Sequence, residues 1–363
     1  MRMRTRIVPI LALMAAATAT GMKAQTEVAA YQPGVTEEGI TYFLPHTRLL
    51  VAVTATKTTH EPGEYARFAR SYLRLTNVPL TAYDQWTITS VEVIPYGVPD
   101  KTEAYTIKLK SKTSAPLVGL SRDGILLSVN TPAPEIPALP VPSVTQTDKK
   151  SRLNPADYKT EEILSAGSTT KMAELTADEI YDIRENRSLL TKGQADFMPQ
   201  DGAQLKLMLA KLDEQEEALL QLFKGTESTE THVMTFSYDP QKEADGDVLF
   251  RFSPYLGPVA ADDLSGSPVY ISIKNLNTLP DTQPEVGNSK KKEAEDLRYV
   301  VPGQAQVRVY TPDRTLAELN VPLAQFGHVE HLGGELFNKK YTTRVTLFPE
   351  TGGIQRIDAE EPR

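Results

Sequence analysis

The sequence predicts an α+β protein in which two antiparallel β-rich modules, sandwich- or barrel-like, flank a central antiparallel helical hairpin. Three observations carry that reading. Apolar and polar residues alternate at period two between about 40 and 130 and again after 226, as in half-buried strands. Between 155 and 225 the period changes to 3.6. Ahead of that change lie five prolines in the eleven residues from Pro132 to Pro142, which cannot donate to a ladder and make an extended connection. The expected borders are therefore 1–24, an export segment; 25–131, a β-rich module with one short helix; 132–154, a Pro-rich and polar linker; 155–225, the hairpin; and 226–363, a second β-rich module.

The export segment rests on charge and length. Arg2, Arg4 and Arg6 precede a largely apolar run from Ile7 to Ala19, and Gly21-Met22-Lys23-Ala24-Gln25 follows. An apolar run of about 13 residues spans about 20 Å as a helix, short of a hydrocarbon core of about 30 Å, so the pattern reads as a secretory signal cut after Ala24. Losing Arg2, Arg4, Arg6 and Lys23 takes the formal charge from −8 to −12. So acidic a chain is expected to bind no nucleic acid and to be repelled by anionic headgroups. The absence of cysteine excludes a disulfide scaffold, a zinc ribbon, a cysteine nucleophile and a lipid anchor. The mature chain is thus expected in the periplasm or outer envelope, soluble, not lipidated and without a transmembrane segment.

In the first module, Arg48 to Thr56 and Trp86 to Ile94 are rich in β-branched residues, and Trp86 and Ile88 alternate with Thr87 and Thr89. Between them Tyr65, Phe68, Ala69, Tyr72 and Leu73 share one face of a short helix. Tyr105–Leu109 and Ile125–Val129 add strands, the latter after an Asp123-Gly124 turn. In the hairpin, Met172, Leu175, Ile180, Ile183 and Leu190 belong to a first helix, with Thr176-Ala177-Asp178-Glu179 as a capping box able to restart it. Asp201 caps the second helix with Gln204 three residues on, and Gly225 ends it. Leu205, Met208, Leu212, Gln215, Leu219 and Leu222 step by three and four along that helix, an a/d seam with one polar member on a rod of roughly 22 residues, about 33 Å long. The seam is either the internal contact of the hairpin or a stripe that accepts a partner helix, with Gln215 setting register. Beyond Gly225, strands are expected at 229–238, 248–252, 269–273, 305–310, 315–321 and 343–348. Ala244-Asp245-Gly246-Asp247 and Gly352-Gly353 read as turns, and Lys290-Lys291-Lys292, flanked by acidic residues, as part of a charged loop near 281–297.

Four stretches carry a resemblance: Tyr42-Phe43-Leu44-Pro45, Ala166 to Glu174, Asp201 to Leu209 and Val321 to Gly327. They are similar to an uncharacterised secreted domain-of-unknown-function family widespread in Bacteroidota. The similarity covers nearly all of the mature chain, and its two helical stretches are the most specific. It implies export and the order of β-rich module, helical hairpin and β-rich module. No catalytic residue comes with it.

Candidate chemistry is sparse. His328-Val329-Glu330-His331 is the one local cluster of metal-ligand types, yet on a strand His328 and Glu330 share a face while His331 points away. Asp239, Glu243, Asp245 and Asp247 lack the order of an EF-hand loop. Leu264-Ser265-Gly266-Ser267-Pro268 lacks a nucleophile elbow, and only five histidines are present, His46, His60 and His232 being dispersed. Neither a P-loop nor a dinucleotide fingerprint occurs, so no cofactor is expected. Trp86, the sole tryptophan, sits where burial is expected rather than a sugar platform. The sequence therefore predicts no catalytic, cofactor or metal residue, and a non-catalytic envelope scaffold or protein-binding module whose partner is another envelope protein. The alternative is a hydrolase acting on an envelope or dietary polymer through paired carboxylates, which need leave no motif.

Overall fold

Residues 27–30, 39–108, 117–146, 153–280, 296–333 and 342–360 are described by a computed structural model. The export segment and most of the charged loop lie outside them. The chain enters as β1 (Glu27–Ala30) and continues into β2 (Ile40–Glu61), a 22-residue strand. A short helix, α1 (Ala69–Leu73), precedes β3 (Tyr83–Lys108), which returns along almost the whole of β2. Tyr65, Ala69 and Leu73 are buried, the helical face expected from their spacing.

Short strands β4 (Val118–Leu120) and β5 (Leu126–Val129) follow, then the exposed proline run. Within the segment expected to be linker, Ser143–Gln146 forms a further strand, β6, on a sheet edge. The helical part comprises α2 (Glu161–Ser165), α3 (Thr169–Lys192) and α4 (Gly202–Lys224). The remaining strands are β7 (Thr226–Tyr238), β8 (Ala244–Ser253), β9 (Gly257–Val259), β10 (Ser267–Asn275), β11 (Leu297–Tyr310), β12 (Thr315–Leu332), β13 (Thr342–Leu347) and β14 (Ile354–Glu360). The protein is α+β, with antiparallel sheets and a helical pair in the middle of the chain.

Among the described residues three sheets form, ordered β1-β3-β2-β7-β6, β12-β11-β10-β8-β9 and β14-β13-β5-β4. The first and third each join strands from both sides of the helical pair: β2 pairs with β7 over Leu49–Glu61, and β5 pairs with β13. The first and second sheets close on a core of Leu49, Val51, Val53, Phe250, Val269, Ile271, Val307, Val309, Val321 and Leu323. A second core, with Tyr42, Leu44, Ile107, Leu126, Val345 and Leu347, lies under the third sheet. Each long hairpin serves both cores because it bends. The ladder of β2 and β3 slips between Phe43 and Pro45, and that of β11 and β12 between Val301 and Gly303, at Pro302. A proline has no N–H to give, so the pairing breaks where it stands and the strand turns.

Two local readings are corrected. Ala244 to Asp247 is not a turn but the start of β8, where the ladder slips between Ile271 and Ser272 and Gly246, at φ +91°, takes up the extra residue as a bulge. Thr176 does not restart α3; it is fully buried inside that helix and its hydroxyl donates to the Met172 carbonyl at 2.7 Å. The cap is Ser168, whose Oγ accepts from the Lys171 N–H at 3.2 Å.

Candidate functional site

The predicted seam lies on α4, and its two halves have different fates. Leu219 and Leu222 are buried with Phe223 against Tyr65, Ala69 and Leu73 and against Ala173, Ala177, Ile180 and Ile183 of α3. Leu212 is half-buried on the same cluster, Leu205 and Met208 are half-buried farther out, and Gln215 is exposed. All buried residues of α4 lie between Ala218 and Phe223. The reason is local: α1 packs only at that end, where α3 offers the small side chains Ala173 and Ala177 and permits close approach. At the other end the turn between the helices carries Phe197, 79% exposed, with Leu207 at 62% and Met198 at 39%. Asp201 begins α4 as expected, accepting the Gln204 N–H at 2.7 Å, and Gly225 receives its end.

Across the middle of the pair runs an ionic lattice. Arg184 Nε donates to Glu216 at 2.7 Å, and Arg187 Nη2 donates to Asp213 at 2.7 Å and also to Glu216. Burial pushes the Glu216 carboxyl up, but the two guanidiniums outweigh it and hold the group below the usual carboxylate range. Arg187, Asp213 and Glu216 line a crevice of about 330 Å³ together with Glu217, Leu220 and Lys224.

A second polar cluster joins residues far apart in sequence. His46 Nε2 lies 2.6 Å from Asp239 Oδ1, Arg48 Nη2 donates to Oδ2 at 3.1 Å, and Gln241 Nε2 donates to Oδ1 at 3.0 Å. Burial raises the Asp239 carboxyl, and the hydrogen bond from His46 with the surrounding donors more than reverses this, leaving it low. Next to it Thr47 is fully buried, its hydroxyl donating to the Glu350 carbonyl at 2.8 Å and accepting the Ala324 N–H at 3.0 Å. The cluster therefore ties β2, the end of β7, β12 and the turn before β14. Its members carry no motif, since His46 and Asp239 are 193 positions apart.

On β12, His328 Nε2 stands 2.9 Å from Glu330, while His331 turns to Arg298. Among the described residues, no three His, Asp or Glu side chains converge as metal ligands would. Ser265 lies in an exposed loop, its N–H donating to Asp263 at 2.9 Å. Trp86 is half-buried, its ring 4.6 Å from that of His232 and against Gly257. No helix among the described residues is long and apolar enough to cross a membrane.

A family model described as a domain of unknown function, DUF4831, matches residues 38–355. Comparison with curated proteins and with solved structures returned no match.

Proposed function

We propose that this chain, which belongs to the DUF4831 family of domains of unknown function, is an exported, non-catalytic binding module of the cell envelope that engages a partner protein through the free end of its helical pair. The observation that carries the reading is the exposed apolar set of Phe197 and Met198 on the turn that Asp201 closes and Leu207 near the start of α4. Large apolar side chains left in water cost solvation free energy, and a helix end that presents them suits a partner groove. Export rests on the Arg2 to Ala24 pattern, and N-terminal sequencing of the protein from a periplasmic fraction is expected to begin near Gln25. An unprocessed chain in the cytoplasm sinks that part.

The hydrolase alternative draws no support from the carboxylates that meet on the helices. Glu216 is held ionised by the hydrogen bonds it accepts from two arginines, so it has no proton to give as a general acid. The test is capture of envelope proteins on the tagged chain, followed by mass spectrometry. A partner lost on Phe197→Asp or Leu207→Asp and kept on Glu217→Lys supports the module. Identical captures from all three variants, or turnover of a polysaccharide or peptide library by the native chain, overturn it.

A further inference from the structure

The outer face of the first sheet carries an array of hydroxyls in register. Thr56 of β2 pairs with Thr87 of β3 on one side and with Thr231 of β7 on the other, and Thr231 pairs with Thr145 of β6. Four adjacent strands thus set four threonines in one cross-strand row. The face is the one turned away from the sandwich, since the alternate residues Val53, Ala55 and Ile88 are buried. Thr87 and Thr145 at the ends of the row are exposed, and Thr56 and Thr231 between them are half-buried. Thr58 opposite Gln85, and Thr54 opposite Ser90, continue the pattern in the rows on either side.

From this arrangement we infer a binding site for an uncharged polysaccharide, a ligand class distinct from the protein partner proposed for the helical end. Charge is the first argument. In a chain that is 24% charged, the three rows from Thr58 to Thr54 hold no ionisable group; the nearest on this face stand in the rows just beyond, Glu92 opposite Ala52 on one side and His60 opposite Glu227 on the other. Such a surface offers nothing to an ionic ligand, while threonine hydroxyls both donate and accept, as sugar hydroxyls do. The threonine methyls supply apolar patches for the C–H faces of pyranose rings. Pitch is the second argument: neighbouring strands lie about 4.8 Å apart, close to the length of one pyranose unit. A chain laid across the strands therefore meets a threonine at each successive sugar. β-Branched side chains are stiff at χ1, so little freedom is lost on contact.

The test is affinity electrophoresis of the full chain in native gels containing hydroxyethylcellulose, xylan or galactomannan, with anionic carboxymethylcellulose as the charged counterpart. Retardation is expected in at least one neutral gel and not in carboxymethylcellulose. Thr87→Lys with Thr145→Lys, both at exposed positions, is expected to weaken it tenfold or more, and Asp262→Lys in a distant exposed loop to leave it unchanged. Thr56→Val keeps the side-chain shape and removes the central hydroxyl; its melting curve reports folding, and a threefold or greater loss of retardation is expected. No retardation in any neutral gel overturns the proposal. So does retardation indifferent to these changes, or a self-association that the same changes abolish, which assigns the face to a second copy.

Discussion

Asp239 accepts from His46, Arg48 and Gln241 at a point where four segments of chain meet. Its folded-state pKa lies below that of the unfolded chain, so its contribution to stability is complete above the ordinary carboxylate range of about 4 and is lost as pH falls through the folded value. Urea midpoints measured from pH 6 downward are expected to drop in this window, and Asp239→Asn to flatten the drop while costing about 1–2 kcal/mol at neutral pH. An unchanged acid limb in the variant refutes the assignment. Neither this cluster nor Thr47 was legible in the sequence, because polar residues separated by whole domains' worth of chain leave no spacing to read. His328 and Glu330 were legible: two positions apart on a strand, they share a face and meet at 2.9 Å.

The helical pair shows what periodicity can and cannot say about an element. Spacing identified the seam from Leu205 to Leu222, and the caps Asp201 and Gly225 marked its ends. It did not distinguish the buried half from the open one, because that depends on α1 and the small residues Ala173 and Ala177 packing at one end only. Leu219→Ala is expected to destabilise by about 2–5 kcal/mol, as large-to-small changes in a packed core do. Leu205→Ala is expected to cost less than about 1 kcal/mol, since its site is half-open. Chemical denaturation of the two variants checks the contrast, and equal losses contradict it. Asp201→Ala should remove about 0.5–2 kcal/mol with the lost cap. Gly225 is a harder limit: at φ +82° a Cβ there would lie 2.1 Å from the Glu61 carbonyl oxygen, so Gly225→Ala is expected to abolish soluble expression or the cooperative melt.

At the scale of the whole molecule, the sheets are assembled across the helical pair. β2 needs β7 and β5 needs β13, partners that the chain supplies only after residue 225. Residues 39–146 expressed alone are therefore expected to give no cooperative thermal transition, whereas 155–228, whose helices carry their own caps and pack Leu219 and Leu222 against Ala173, Ala177, Ile180 and Ile183, are expected to give a helical circular dichroism spectrum. A cooperative melt of the first fragment, or a strand spectrum from the second, contradicts this assembly. The turn between Phe348 and Gly353 holds the two bent hairpins together: Val300 N–H donates to the Gly352 carbonyl at 3.1 Å, and Gly352 and Gly353 sit against Pro45 and Pro302. Gly352→Val is expected to unfold the chain, because the added side chain has Pro45 in its place and φ is +71°.

The sequence by itself determined the class of this protein and the nature of each long element. Hydrophobic period, caps and glycine turns act within a few residues of chain, and strands alternate and helices repeat whatever lies beyond them. The tertiary structure alone decided which strands pair, where the hairpins bend, which half of the helical seam stays open and which polar residues meet. Those are contacts between positions up to three hundred residues apart, such as Thr47 with Glu350 at a separation of 303. They exist because burial and hydrogen-bond satisfaction are settled for the assembled chain as a whole, once prolines at the bends have brought separate segments onto common cores.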